Sequence, residues 1–360
     1  RANAAPITEH SSVAGRPVAG GRAAVPRRGG SAGRAALEPL DAAAHARRAE
    51  RVPGRPADLH VERRSAGGRR AGRAHRRLGR DHRPDELAHV EFLRGRYDRV
   101  EVWLAQAEDV AGEPAQRAAA LTVRGSALSD RARYAAASDV LREALGLARD
   151  DRRRAYVLSM VGRVHLLRGE HGPATTALDE STARAAGAGW TAFIPWPEAL
   201  RAGVALELGN LDAARTGFEH AFALGCQVGD PCWEGLSARG LGLVLAAEGN
   251  HRGAIATLLD ARRRSARLPD GYLWVEAYVL DALATVGTES GLADTRTWIA
   301  ALEAISQRCG MTELMVRAAV HRWRLGDPAG REAATVLGPA VDNPILADLV
   351  GHRYRPDPGR

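Results

Sequence analysis

One turn recurs five times between residues 95 and 249, and its regular spacing limits the chain to a stack of similar units. Four copies are anchored at Gly95, Gly169, Gly209 and Gly249, and a fifth has Ala132 where the others have glycine. Successive anchors are 37, 37, 40 and 40 residues apart. A period of this length is typical of repeat proteins, in which each unit buries its apolar face only against its neighbours.

Two positions downstream of every anchor keep their residue type. A large apolar side chain stands 9 residues after the anchor and a small one 12 after it: Leu104 and Ala107, Leu141 and Ala144, Leu178 and Ser181, Phe218 and Ala221, Leu258 and Ala261. A left-handed anchor ends one helix, and small residues let the next helix pack closely against it. Gly162, Gly203 and Gly242 fall inside predicted first helices, where close packing offsets their low helix propensity.

These patterns predict an all-α, right-handed superhelix of helical hairpins. Beyond Gly249 the pattern loosens, but residues 272–286 with 292–309, and residues 313–325 with 328–337, indicate a sixth and a seventh helix pair. We therefore expect a helical repeat domain over residues 85–340, followed by an irregular C-terminal tail over residues 341–360.

Residues 1–84 have a different composition from the rest of the chain. They hold 19 Arg against 7 acidic residues and no aromatic residue. Such a segment buries too little apolar surface to offset the backbone entropy lost on ordering, so we expect a disordered leader. Translation of a GC-rich gene in a wrong frame gives the same mixture, and this alternative stays open. The chain begins with Arg1 rather than Met, which fits a fragment or a processed product.

Several enzyme classes are excluded by the absence of lysine, since all 51 basic residues counted as Lys or Arg are Arg. A Walker A motif, a Schiff-base lysine and a Ser-x-x-Lys nucleophile all need that side chain. Residues 29–33 match the G-x-S-x-G pattern by chance in a Gly-rich segment, and Gly240 and Gly242 indicate helix packing rather than a dinucleotide site. We expect no cofactor, no metal and no catalytic site, hence a binding protein and not an enzyme.

The repeats resemble the tetratricopeptide repeat (TPR), which has small residues in its first helix, a Gly-x-Tyr turn and Ala in its second helix. Gly162 and Gly242 occupy the first small position, although the spacing exceeds the usual 34 or so residues. The Ala-rich, Lys-free repeats, the run at residues 218–225 and the closing residues 341–344 also resemble the repeat arm of large ATP-binding, LuxR-type and antibiotic-regulatory transcriptional regulators of actinomycetes. That resemblance implies a sensor arm, with ATPase and helix-turn-helix domains as its partners.

The first helices of such a superhelix line its concave face. By register, four residues point to that face and are our candidates for contacts with a protein or peptide partner: Arg163, Trp196, Glu207 and Arg239. Exchanging Arg163 and Arg239 for Glu is expected to weaken partner binding without unfolding the chain.

Aromatic residues gather around the Pro195/Pro197 connection between the third and fourth repeats, namely Trp190, Phe193, Trp196 and Trp233. Such a group either anchors a partner or fills the wedge between repeats, and both interpretations stay open.

A competing function is nucleic-acid binding through the basic leader, with the repeats as an oligomerisation frame. Three cysteines, Cys226, Cys232 and Cys309, are too few for a disulfide scaffold; Cys226 and Cys232 are expected to be buried thiols, with a redox pair as the alternative. This sparse, odd set of cysteines makes a reducing cytoplasm the expected location. The chain also has no apolar run long enough to span a membrane.

Overall fold

Each anchor lies at the turn between the two helices of a hairpin. The computed structural model describes residues 83–110, 113–267 and 271–346, all within one compact unit. Fourteen α-helices lie in these ranges: α1 Pro84–Leu93, α2 Tyr97–Val110, α3 Pro114–Asp130, α4 Tyr134–Leu147, α5 Asp151–Leu167, α6 His171–Gly187, α7 Pro195–Glu207, α8 Leu211–Val228, α9 Pro231–Ala247, α10 His251–Ser265, α11 Leu273–Glu289, α12 Thr295–Cys309, α13 Thr312–Arg324 and α14 Pro328–Leu337. Short 3₁₀ turns cover Thr191–Phe193 and Gly338–Ala340. The predicted all-α architecture and all seven predicted helix pairs are confirmed.

Each hairpin turns at a residue in the left-handed region. The anchors at 95, 132, 169, 209 and 249 have φ of 66°, 60°, 70°, 75° and 79°. At Gly169 the turn satisfies the free carbonyls at the end of α5, because the backbone N–H of Glu170 donates to His165 O at 2.8 Å and that of Gly169 to Leu166 O at 2.9 Å. Ala132 is the exception among the anchors, and its fully buried methyl group offsets part of the strain of its positive φ.

Close approach of paired helices explains the glycines inside the first helices. A Cβ added to Gly125, Gly162 or Gly242 would lie 2.6, 2.5 or 2.7 Å from Cγ of the large apolar residue nine positions after the anchor, namely Leu141, Leu178 or Leu258. Those three leucines are fully buried. Gly240 is packed in the same way against Phe218, so the helix-packing interpretation of Gly240 and Gly242 is confirmed.

The last hairpin returns to contact the second and third hairpins. The Tyr134 hydroxyl at the start of α4 donates to Glu313 Oε2 on α13 at 2.6 Å. Asn343 donates through Nδ2 both to Glu313 Oε2 and to the Leu167 carbonyl, each at 3.0 Å. The superhelix is therefore tightly wound, with its described C-terminal end held against the turns of its early repeats.

The described part of the predicted irregular tail is packed. Residues 341–343 have no regular secondary structure, yet the side chains of Val341, Asn343 and Leu346 are buried. Asp342 accepts a hydrogen bond from the Ala135 backbone N–H at 2.8 Å. The predicted leader, apart from residues 83 and 84, and residues 347–360 lie outside the described residues. No helix in the described ranges is long and apolar enough to cross a membrane.

Where no atom lies near the added methyl group, the backbone conformation should decide whether a Gly→Ala substitution raises or lowers the free energy of unfolding. Gly209 has φ +75° and Gly146 lies in α4, and both have open space at the Cβ position. We expect Gly209→Ala to lower the free energy of unfolding by about 1–2 kcal/mol, and Gly146→Ala to raise it by about 0.5–1 kcal/mol. Urea unfolding of both variants checks this prediction. A change of the same sign in the two free energies of unfolding would contradict it.

Gly162→Ala should destabilise the protein although alanine is the better helix former. Its Cβ would lie 2.5 Å from Leu178 Cγ, so the leucine or a helix must shift, at a cost of about 1–3 kcal/mol. The measurement is a double-mutant cycle with Leu178→Ala, in which the double variant should lose less stability than the two single losses added together. Strict additivity would show that the two sites do not clash.

Candidate functional site

A cavity of about 400 Å³ opens between the first helices of the hairpins. Its walls come from α1, α3, α5, α7, α9 and α11, together with the 3₁₀ turn at Thr191–Phe193. Nine of the lining side chains are aromatic, namely His89, Phe92, Tyr156, Trp190, Phe193, Trp196, Trp233, Tyr272 and Trp274. Eight are charged, namely Arg83, Asp85, Glu86, Asp150, Arg152, Arg153, Arg163 and Asp230. A concave, mostly apolar site with a few polar groups is the usual form of a ligand pocket.

The repeat register explains why these side chains meet. Phe193 and Trp233 each stand 16 residues before their anchors, and Tyr156 and Trp196 stand 13 before theirs. Positions three residues apart share one face of a helix. Corresponding positions of several hairpins therefore contribute to the same wall.

The rings contact one another as well as the cavity. Trp190 stacks on Phe193 with centroids 4.2 Å apart, and Phe193 meets the edge of Tyr156 at 5.9 Å. Deeper in the wall, Trp196 lies 5.2 Å from Trp233 and 5.7 Å from Trp274. The four aromatic residues singled out from the sequence thus fill the wedge between repeats and also line the cavity.

Arg163 lies at the base of this site and is neutralised by the protein itself. Its guanidinium contacts Asp130 Oδ1 at 2.5 Å and donates to Ser129 Oγ at 2.9 Å. The Tyr97 hydroxyl donates to the other carboxylate oxygen of Asp130 at 2.6 Å. Burial, and then the charge of Asp130, raise the pKa of Tyr97 well above its ordinary value. Burial is the largest single effect and disfavours the charged guanidinium, but Asp130 together with Tyr278 and Tyr134 outweighs it and raises the pKa of Arg163.

Further buried ion pairs continue from this base toward the last hairpin. Arg163 lies over the rings of Trp274 and Tyr278, 5.5 and 5.7 Å from their centroids. One helical turn beyond Tyr278, Asp281 contacts His321 Nε2 at 2.9 Å and Arg317 at 3.8 Å. Burial alone would raise the pKa of Asp281, but His321 and Arg317 lower it to about 2. Charged groups thus connect the wall of the cavity to the contacts that hold the last hairpin in place.

Two of the four candidate contact residues line the cavity. Arg163 and Trp196 do, and Trp196 donates its indole N–H to Ser159 Oγ at 2.9 Å. Glu207, at the end of α7, is exposed and contacts His171 Nε2 at 2.8 Å. Arg239 donates to the Tyr278 carbonyl at 2.9 Å and does not line the cavity.

Sequence reasoning missed Tyr156, Asp230, Tyr272 and Trp274, all of which line the cavity. Tyr156 occupies the same register position as Trp196, so the repeat alignment carried the signal for it. Tyr272 and Trp274 begin the loosened sixth repeat, where the alignment had no anchor.

Three other candidate sites from the sequence were a serine nucleophile, a cysteine pair and a metal centre. Residues 29–33 lie outside the described residues. All three cysteines are unpaired. The prediction of a buried thiol is confirmed for Cys232 on α9 but is wrong for Cys226, which is exposed on α8. Among the described residues, no group of three or more His, Cys, Asp or Glu side chains comes together in a way that would hold a metal ion.

Solved structures share this architecture. No protein-family model matches the chain, and no curated protein matches it. The chain is similar to a Rap protein complexed with competence and sporulation factor (TM-score 0.59, 14% identity, 74% of this chain and 77% of that one). It is also similar to NprR in complex with its cognate peptide NprX (TM-score 0.58, 14% identity, 79% and 86%) and to aspartyl phosphate phosphatase F from Bacillus subtilis (TM-score 0.50, 13% identity, 81% and 88%). These likenesses confirm the TPR-like superhelical fold.

From the buried position of Arg163 we now expect the opposite of one sequence-based prediction, namely that its exchange for Glu would leave the fold intact. A Glu there would place a second carboxylate beside buried Asp130. Even the neutral Arg163→Gln should destabilise the protein by about 3–5 kcal/mol, because Asp130 stays buried without a countercharge. Arg239→Gln is the matched control: Arg239 is only partly buried and has no carboxylate partner within the described residues, so a loss of about 1 kcal/mol is expected. Equal losses in thermal melting would contradict this.

Proposed function

We propose that this chain is a regulatory module that binds a short peptide in the aromatic cavity between its first helices. The observation that carries the proposal is the cavity itself, whose nine aromatic side chains come from five of the first helices and the connecting 3₁₀ turn. Rigid aromatic side chains are the residues that most often dominate binding energy at protein interfaces. They provide large contact areas at low cost in side-chain entropy.

The size of the cavity supports a small ligand. About 400 Å³ lies toward the lower end of the range for drug-sized ligands, which corresponds to a few amino-acid residues. Two of the similar structures, the Rap protein and NprR, were solved with competence and sporulation factor and with the peptide NprX, respectively. The common fold supports extending a ligand of this kind to the present chain.

Occupancy of the cavity would act through the buried ion pairs. Arg163 lines the cavity and pairs with Asp130 on α3, and its guanidinium also covers the ring of Trp274 on α11. A ligand that packs against Trp274 therefore contacts the elements that set how tightly the superhelix is wound. If two windings differ in their affinity for the ligand, binding shifts the equilibrium between them.

The finer assignment is that this module is the sensor arm of an ATP-dependent, LuxR-type transcriptional regulator. It rests on the resemblance of the Lys-free, Ala-rich repeats, and its partners would be the ATPase and helix-turn-helix domains of such a regulator. The proposed location is the cytoplasm, in keeping with three unpaired cysteines. In this proposal the chain binds a ligand, transmits that binding to its partner domains and does not catalyse a reaction.

Selection from a random hexapeptide library on the immobilised full chain tests the function. Selected peptides should change the tryptophan emission on binding, because four of the seven tryptophans line the cavity. Trp190→Ala and Trp233→Ala should each weaken binding about tenfold or more, as expected for aromatic anchors that the ligand covers.

Trp323→Ala is the control, since Trp323 is only partly buried on α13 and lies outside the cavity. Its affinity should match that of the unaltered chain, and circular dichroism confirms that each variant is folded. A library that yields no binder, or binders insensitive to both cavity substitutions, would refute the proposal.

A further inference from the structure

We propose that the peptide in this cavity presents a cationic nitrogen, an ammonium or a guanidinium group, to Asp230. This inference rests on the proposed function and names the chemistry of the ligand. Two observations support it. Asp230 is the one buried carboxylate without an ion-pair partner among the described residues, and its surroundings suit a cation.

Six carboxylate residues are buried in the described structure: Glu91, Asp130, Asp230, Glu234, Asp281 and Glu313. Five of them have a cationic partner within 4 Å, which is Arg96 for Glu91, Arg163 for Asp130, Arg264 and Arg267 for Glu234, His321 for Asp281 and Arg317 for Glu313. Asp230 forms no ion pair with any described residue, although it is only 2% exposed. It is also the one member of this set that lines the cavity.

The contrast between Asp230 and Glu234 shows that the missing partner is specific to the cavity side of α9. Both residues are 2% exposed and lie one helical turn apart at the start of this helix. Arg264 and Arg267 contact Glu234 at 2.6 and 2.9 Å. Burial raises the pKa of Asp230 above its ordinary value, and the hydrogen bonds from the α9 backbone and the more distant charge of Arg267, which forms no ion pair with it, only partly oppose this effect.

Asp230 has a structural role that leaves its charge unexplained. Its Oδ1 accepts the backbone N–H of Cys232 at 2.8 Å and caps α9. Asparagine caps helices about as well as aspartate, so capping does not require a negative charge here. A buried carboxylate without a countercharge is costly, and a cationic ligand removes that cost.

The surroundings of Asp230 suit a cation attached to a peptide. Trp233 follows it on α9, and Trp196 and Trp274 continue the same wall. Aromatic faces attract ammonium and guanidinium groups. The indole N–H of Trp274, which is 4% exposed, has no hydrogen-bond partner among the described residues. A peptide carbonyl would satisfy this donor while the cationic group contacts the carboxylate.

The test compares peptides selected by the unaltered chain with those selected by Asp230→Asn. Peptides from the unaltered chain should be enriched in arginine, lysine or a free α-amino group, and this enrichment should disappear with the variant. Binding of such a peptide to Asp230→Asn should weaken about tenfold or more, as for other buried charge-assisted hydrogen bonds. The melting temperature of the unliganded variant should be unchanged or higher, because the cap is kept and a buried charge is lost.

Asp150→Asn is the matched control. Asp150 caps α5 by accepting the Arg153 N–H at 2.8 Å and also lines the cavity, but its side chain is 62% exposed and has Arg153 nearby. Its substitution should change affinity by less than about threefold. Acetylating the N-terminus of a selected peptide, or replacing its basic residue by norleucine, then shows which cationic group Asp230 contacts.

The outcomes separate the two proposals. Two results would overturn the proposed cationic group while leaving peptide binding in the cavity supported. One is a set of binders that depend on Trp233 but are neutral or acidic, and the other is equal affinity for Asp230→Asn and the unaltered chain. A lower melting temperature with unchanged affinity would show that Asp230 is a structural cap only. A library without any binder would overturn both proposals.

Discussion

The buried ion pair between Arg163 and Asp130 is the contact on which the arrangement of the other elements most depends. It joins α5 to α3, and the guanidinium also covers two aromatic rings on α11. Forming such a pair away from water is favourable only if the remaining donors and acceptors are satisfied. Tyr97 and Ser129 do this here, so hairpins that are distant in sequence are held in one relative position. The same arginine, Arg163, also lines the cavity.

The chain contains arginine but no lysine, and arginine suits buried ion pairs of this kind. A guanidinium presents a planar set of donors that can serve several acceptors and still lie over a ring, which an ammonium does less well. Arg264 shows the combination, since it contacts Glu234 and Asp260 while lying over Phe222 at 4.9 Å. Most buried carboxylates of the described protein obtain such a partner from the chain itself, and Asp230 is the one for which we propose that a ligand supplies it.

Much of the fold could be predicted from the sequence because the repeat is a local device. The anchors at Gly169 and Gly209 end one helix and start the next through contacts within a few residues, and the hairpin partners lie within about one period. The aromatic wall was partly predictable, since Trp196 and Trp233 belong to the first helices. Glu207 and Arg239, which were predicted to face the concave side, do not line the cavity, and their contacts with a partner stay a prediction. Helix register gives the face on which a residue lies, but it does not say whether a distant hairpin covers that face.

By itself, the sequence determined the all-α hairpin unit, the positions of its turns and the close packing at residues such as Gly162, because each depends on neighbours within one repeat. The tertiary structure decided how tightly the hairpins wind, for example through the contact of Tyr134 with Glu313 across 179 residues. It also decided which carboxylates obtained a countercharge. Both outcomes depend on small rotations between successive hairpins that add up along the chain, and no single repeat encodes that sum.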